Sequence, residues 1–459
     1  MSHVQDRPLP LETGPRVLTP GTRSRALLAL LLGLSILVRI GVALYLGNDV
    51  PAPPGAPDDT SYSYLAERLS TGHGYSFDRP WYPFGKPAGY PTAHWSFLYT
   101  GYLAGIYKVF GAHPLAARLV GAVLGGVLLP LAVYRLVLWL FPTHRAIPLI
   151  AAVCSAFYAF FILYAARLVT ETYYIVALLC SMERTLAMAD RPTWGRAAAL
   201  GLALGITTLL RQSMLPWALI LFAWLLWAGW RCGQWRRTLG AVGVAIVLLI
   251  LTVLPFTVRN YLVYRDFLLL NSNAGYAMYS AQHPIHGTSF QEYTAAPLPE
   301  DLLKRNLDEP QLDRELMSRG IEFVLADPGR YLLLSVSRVV DYFEFWPTSD
   351  TDLLHNVGRV ISFGLFLPFM LYGILLAIRQ SGPLRTPGDW MRFSTTPLAL
   401  ILMFIAFYSL LHILTWAMPR YRLPVDAVAL AFAALALQDL GLRLLRRQPH
   451  LARDQAFRS

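Results

Sequence analysis

Charge is what this sequence has least of. Of its 459 residues, 15% are charged and 55% hydrophobic, against roughly 25% charged in an average soluble domain. That shortage excludes a string of soluble domains. So do the repeated apolar runs of about 20 residues, each long enough to cross a bilayer as a helix. Cysteine is scarce as well. Cys154, Cys180 and Cys232 lie in or beside apolar runs with no CxxC or metal-type spacing, which makes them small buried hydrophobes with no redox implication. There is no Walker loop, no GxGxxG after a strand, no GxSxG and no HExxH, so those nucleotide, hydrolase and metalloprotease chemistries are not indicated. The histidines show no ligand spacing, and no internal repeat stands out. A net charge of +11 would suggest nucleic acid in a soluble protein. Here the arginines mostly occupy short loops between apolar runs, where membrane topology accounts for them, and no nucleic-acid partner is expected.

What is there reads as an all-α polytopic membrane protein with about ten transmembrane helices, since lipid leaves the backbone no other partner. Residues 1–25 form a Pro-rich cytoplasmic tail. Ala26–Leu46 follows as an uncleaved anchor, with Arg23 and Arg25 holding its start inside. Residues 47–113 are then a first outer loop. Within it, Tyr62, Leu65, Ala66 and Leu69 recur at helical spacing and Gly72 and Gly74 close the run, so Ser61–Thr71 reads as an amphipathic juxtamembrane helix. Thr92–Phe110 reads as a second. Spans are expected over Leu115–Phe141, Ile147–Tyr164, Thr170–Met188, Ala197–Leu210, Leu215–Trp230 and Leu239–Phe256, and the basic loops fall on one side. Residues 258–346 form a second, larger outer segment. It has a charged helical part over Pro299–Asp327 and an interfacial helix over Tyr331–Trp346, which Arg338, Asp341 and Glu344 keep out of the bilayer core. Val357–Ile378, Leu398–Trp416 and Leu423–Leu445 complete the membrane domain, 26–446, and 447–459 is a second cytoplasmic tail.

Three outer elements carry chemistry. In the first, Pro57-Asp58-Asp59, a carboxylate can act as general base towards a hydroxyl; Asp59 or Thr60 can equally cap the helix that follows. In the second, Thr170-Glu171, the acid at a span's outer end is a functional candidate or a partner of the helix dipole. The third is a set of outer cations: Lys86 between Gly85 and Pro87, Arg420 and Arg422 around Tyr421, and Arg259 in VRNY. Cations there run against the positive-inside bias, so an anion such as a lipid phosphate would hold them. Ordinary headgroup contact is the alternative.

These elements resemble the GT-C superfamily of polytopic glycosyltransferases, in the branch of bacterial lipid A aminoarabinose transferases and protein O-mannosyltransferases. The acidic pair Asp58-Asp59 is followed by Tyr62 and Ala66. Lys86-Pro87 precedes Gly89-Tyr90, and Phe110-Gly111 precedes Ala117–Val120. Thr170-Glu171 opens a span, Arg259–Tyr261 is followed by Asn273–Tyr276, and RYRLP comes before the last span. The resemblance implies an inverting transfer of sugar from a polyprenyl-phosphate-linked donor to a hydroxyl of a lipid, protein or glycan acceptor. The reaction would take place on the periplasmic face of a bacterial inner membrane, with both termini cytoplasmic. It implies Asp58 as base, with Asp59 and Glu171 as further catalytic acids. Lys86, Arg420, Arg422 and Arg259 would lie at the carrier phosphate, and Tyr62, Tyr90, Asn273 and Tyr276 at the sugar or acceptor. No metal ligand set is assigned and no cofactor is required, although two acids leave room for a divalent cation. The rivals are a flippase or transporter of lipid-linked sugars, and a surface-polysaccharide ligase or polymerase. Against the first, the polar residues crowd one face rather than the midplane. Against the second, the acids lie in the early loop.

Overall fold

The computed structural model describes residues 22–50, 58–291, 294–349, 351 and 353–446. Most of the two expected tails, and Pro57, fall outside them. Among the described residues the protein is all helix, and one isolated bridge, Ser76 to Pro91, is its only β pairing. It is an all-α polytopic membrane protein. The long helix α1, Thr22–Leu46, leads into α2, Asp58–Ser70, and α3, Phe97–Phe110. These last two are the expected juxtamembrane pair, and α3 starts at Phe97 because Ser96 caps it, its hydroxyl accepting from Tyr99 N. The bundle continues through α4, Pro114–Leu140; α5, Ala146–Phe157; α6, Ala159–Ala166; α7, Glu171–Asp190; α8, Trp194–Leu210; α9, Met214–Arg231; and α10, Trp235–Tyr264.

The second outer segment holds α11, Ala274–Gln282; α12, Glu300–Lys304; α13, Glu309–Ala326; and α14, Pro328–Tyr342. Helix α13 begins with a full capping box between Asp308 and Gln311. It crosses α11 closely at Gly275, where a Cβ would meet the Asp313 carbonyl oxygen at 1.8 Å. Helix α14 buries Leu334, Ser335, Arg338 and Tyr342 while Leu332, Leu333, Val336, Val339 and Val340 face outward. One face packs and the other is apolar and exposed, as an interfacial helix requires. The chain then runs through α15, Leu353–Arg359; α16, Leu365–Gln380; α17, Pro387–Ser394; α18, Pro397–Leu414; and α19, Leu423–Arg446.

Among the described residues seven helices are long and apolar enough to span a membrane, or eight if the bent pair α5–α6 counts as one. The expected figure of about ten adds α7 and α8. Helix α7 carries Glu171, Glu183 and Arg184, and α8 has only 17 residues. The expected single span over 147–164 is broken at Tyr158 by 56°. Two remote partners take over the hydrogen bond lost there. Arg39 Nη1 donates to Ala156 O at 2.8 Å, and Phe160 N donates to Ser362 Oγ at 3.3 Å. Tyr158 itself donates to buried Asp426 at 2.7 Å.

Candidate active site

Two broken or short elements bring the acids together. Helix α2 starts at Asp58, so both members of the acidic pair lie in its first turn. The bend at Tyr158 aims α6 and the residues after it, Arg167 to Thr170, at that turn. Asp59 is almost fully buried. Its carboxylate accepts from Arg167 Nε at 3.1 and 3.3 Å, from Arg167 Nη2, and from Leu168 N at 2.9 Å. It therefore ties α2 to the end of α6, and its oxygens are engaged across the fold.

Asp58 points to a different partner. Arg420, in the short 3-10 turn Pro419–Arg422 ahead of α19, places Nη1 2.5 Å from Asp58 Oδ2 and 4.0 Å from Glu171 Oε1. Glu171 opens α7 and accepts from Arg211 Nη2 at 2.5 Å, while Arg211 Nε donates to Thr170 Oγ1 at 2.9 Å. Tyr421 lies under both cations, 5.1 Å from Arg420 and 5.5 Å from Arg211, within cation–π range. Residues 58, 171, 211 and 420 thus meet in one ion-paired cluster. Two of its buried atoms, Glu171 Oε2 and Arg420 Nε, have no hydrogen-bond partner. Buried polar atoms are nearly always paired, and such exceptions gather where a site has a ligand still to meet. Burial would raise the Asp58 carboxyl, but the charge and hydrogen bond of Arg420, with Arg211 and Arg167 farther off, hold it below the ordinary carboxylate range. A base with a low value stays ionised across ordinary pH.

The other expected site residues divide. Lys86 is not in this cluster: it donates to the Leu307 carbonyl and sits 5.5 Å from the Tyr90 ring. Arg259 donates to Thr92 O at 3.0 Å and stacks by Tyr75 and Tyr264, pinning the first outer loop to α10. Asn273 joins Gln212 to the His94 carbonyl. Tyr62 packs edge-on against Trp95 and Tyr99. Tyr276 accepts from Tyr82 OH at 3.1 Å. Arg422 lies outside the cluster as well. It is fully buried, bound to Asp426 at 3.0 Å and to Tyr342 O, with its guanidinium 3.5 Å from the Phe363 ring. It anchors the turn that presents Arg420. Arg167 and Arg211 were missed, although they carry the same signal as Arg420, a cation at the outer end of a span. Among the described residues no group of three or more His, Cys, Asp or Glu could hold a metal ion. Arg420 Nη1 lies between Asp58 Oδ2 and Glu171 Oε1.

The fold defines a class, that of all-α polytopic membrane proteins. Two solved structures of the Archaeoglobus fulgidus oligosaccharyltransferase share that fold. One, AglB in complex with an inhibitory peptide and a dolichol-phosphate, aligns over 93% of this chain at a TM-score of 0.56 and 17% identity. The other, tethered to an acceptor peptide, aligns over 93% at 0.57 and 15% identity. This chain spans about half the length of those chains, 51% in each case. The likeness to ArnT from Cupriavidus metallidurans bound to undecaprenyl phosphate is looser, with a TM-score of 0.41, 14% identity, 89% of this chain and 77% of that one. No protein-family model matches the chain, and no curated protein matches it.

Proposed function

We propose that this protein is an inverting glycosyltransferase that moves a sugar from a polyprenyl-phosphate carrier to an acceptor hydroxyl at the outer face of a bacterial plasma membrane, with both termini cytoplasmic. The observation that carries the reading is the cluster of Asp58, Glu171, Arg211 and Arg420, in a fold shared with an enzyme bound to dolichol-phosphate.

In the resting arrangement Arg420 is shared between Asp58 and Glu171. The phosphodiester of the donor competes for Arg420 and Arg211, using their planar donor forks. Asp58 is thereby released towards the acceptor. The acceptor hydroxyl loses its proton to Asp58 and its oxygen bonds to the anomeric carbon, while the bond from that carbon to the phosphate oxygen breaks with its electron pair. The phosphodiester monoanion leaves as a phosphate monoester dianion. One negative charge has disappeared from Asp58 and one has appeared on phosphate, both beside Arg420, so the arginine stabilises the developing charge without moving far. Glu171 keeps Arg211 and Arg420 aligned. One displacement inverts the anomeric centre.

The test is release of free polyprenyl phosphate by the full-length protein in nanodiscs, supplied with a panel of polyprenyl-phosphate sugars and acceptors. Removing a general base costs on the order of 100- to 10,000-fold, so Asp58→Asn should lower turnover by that factor with the fold intact. Wild-type turnover in Asp58→Asn would remove the base from the scheme.

A further inference from the structure

The ion-paired cluster stands on two arms. One is the stretch that follows the bend at Tyr158 and ends in Arg167, Thr170 and Glu171. The other is the turn Pro419–Arg422, which carries Arg420. The direct contact between them is loose. Arg420 Nη1 lies 4.0 Å from Glu171 Oε1, the outer limit of an ion pair. Arg211, tied to the first arm through Glu171 and Thr170, meets the second at the Tyr421 ring, 5.5 Å away.

Asp426 touches the root of each arm. It lies in the first turn of α19. Its Oδ2 accepts from Tyr158 OH at 2.7 Å, at the bend itself, and its Oδ1 accepts from Arg422 Nε at 3.0 Å, at the end of the turn. Arg422 donates onward to Tyr342 O and lies 3.5 Å from the Phe363 ring. Phe363 belongs to the π-helical turn Val360–Gly364, whose Ser362 accepts from Phe160 N, the amide freed by the bend. One carboxylate therefore bridges the two arms, with one oxygen given to each.

Tyr158, Arg422 and Asp426 are fully buried. Stability alone does not call for charge there. Apolar residues of similar volume in place of a buried ion pair are often neutral or stabilising, because desolvation offsets the attraction. What the pair adds to apolar packing is direction: hydrogen bonds hold distance and angle within narrow limits, whereas apolar contacts are non-directional. In the transferase reading the donor phosphate lies between Arg211, on the first arm, and Arg420, on the second. A misplacement of about 1 Å in such a clamp can cost about 100-fold.

We propose that Asp426 is a positioning residue: it touches no reacting atom, and by holding Tyr158 and Arg422 it sets the spacing between Arg211 and Arg420, and with it the fit of the carrier phosphate. The assignment rests on the transferase reading for its ligand, but the coupling of the two arms does not.

The full-length protein in nanodiscs supplies the test, with undecaprenyl phosphate as the probe and every variant measured below its own melting temperature. Arg422→Met/Asp426→Leu removes both charges and strands neither; Tyr158→Phe removes one hydroxyl. Undecaprenyl phosphate should bind at least tenfold more weakly to the double variant and at least threefold more weakly to Tyr158→Phe. A role in stability alone would leave the affinity of the folded protein unchanged. In an Arg420→Gln background the same double change should weaken binding by less than twofold, since half of the clamp is already gone. Hydrogen exchange reads the arms without any ligand. The double variant should exchange faster than wild type over both 167–174 and 418–423, and Tyr158→Phe over the first alone. Wild-type affinity in the double variant, a full tenfold effect that persists in Arg420→Gln, or unchanged exchange in either segment would each overturn the assignment. If the double variant does not fold, wild-type affinity or unchanged exchange over 167–174 in Tyr158→Phe overturns it instead. If undecaprenyl phosphate does not bind wild type, the transferase reading fails, and the exchange data still decide whether Asp426 couples the arms.

Discussion

The neighbouring acids Asp58 and Asp59 should fail in opposite ways when neutralised. The Asp59 side chain is 2% exposed and that of Arg167 is 18%, and the carboxylate also holds Leu168 N. Removing one partner of a buried ion pair costs about 3–5 kcal/mol because the other charge is stranded. Arg167 keeps some solvent, so about 3 kcal/mol is the appropriate end for Asp59→Asn. A chain of 150–250 residues loses roughly 2–4 °C per kcal/mol, and longer chains lose less. Asp59→Asn should therefore lower the melting temperature in nanodiscs by up to about 6 °C. Its turnover below that temperature should fall by less than about tenfold, as expected of a group that acts only through positioning. The double variant Asp59→Asn/Arg167→Gln, which strands no charge, should recover at least half of the loss. Asp58 is 22% exposed on its side chain, and its partner Arg420 keeps Glu171 at 4.0 Å, so Asp58→Asn should lower the melting temperature less than Asp59→Asn while losing turnover as a general base does. If Asp59→Asn melts like wild type and is inactive, Asp59 is chemical and its ion pair with Arg167 does not hold the helices.

Two further outcomes follow from titration. Arg420 is what keeps Asp58 low, against burial that would raise it. Without it the base protonates at a higher pH, so in Arg420→Gln the acid limb of kcat/KM should move upward, whatever happens to the plateau. A limb at the wild-type position would uncouple the two residues. Asp313 behaves in the reverse sense: burial, aided by Glu309, pushes it up to about 7, although Tyr276 N and Gly275 N donate to it. Its folded value lies above the unfolded one of about 3.9. Its contribution is therefore complete below that range and is lost as pH rises through about 7. Hydrogen exchange in α11, corrected for intrinsic rates, should show weaker protection at pH 8 than at pH 5. The difference should vanish in Asp313→Asn.

Apolar runs and interrupting charges were enough to read most of the helices, α14 among them, because lipid leaves helix as the only option for a span. The break at Tyr158 was not readable. The groups that replace its hydrogen bond, Arg39 and Ser362, lie 117 and 202 residues away in sequence. Helix α10 runs to Tyr264 rather than stopping at Phe256 because Arg259 and Asn260, polar enough to suggest a loop, bond to the loops packed beside them. At the site, Asp58, Glu171 and Arg420 stood out as charges at the outer ends of spans. Arg167 and Arg211 occupy the same position, and their role shows only once the fold brings them to Asp59 and Glu171. The burial of Arg422 could not be read from its motif, since the acid it meets, Asp426, lies four residues on inside an apolar helix.

The bend at Tyr158 also bears on biosynthesis. A helix entering lipid cannot give up a backbone hydrogen bond until another group takes its place. One replacement comes from the first span and the other from the turn before α16. Asp426, which holds the Tyr158 hydroxyl, arrives still later. The bend over 146–166 and the arginine beside Asp58 therefore both depend on groups that are synthesised late: Ser362, Arg420 and Asp426.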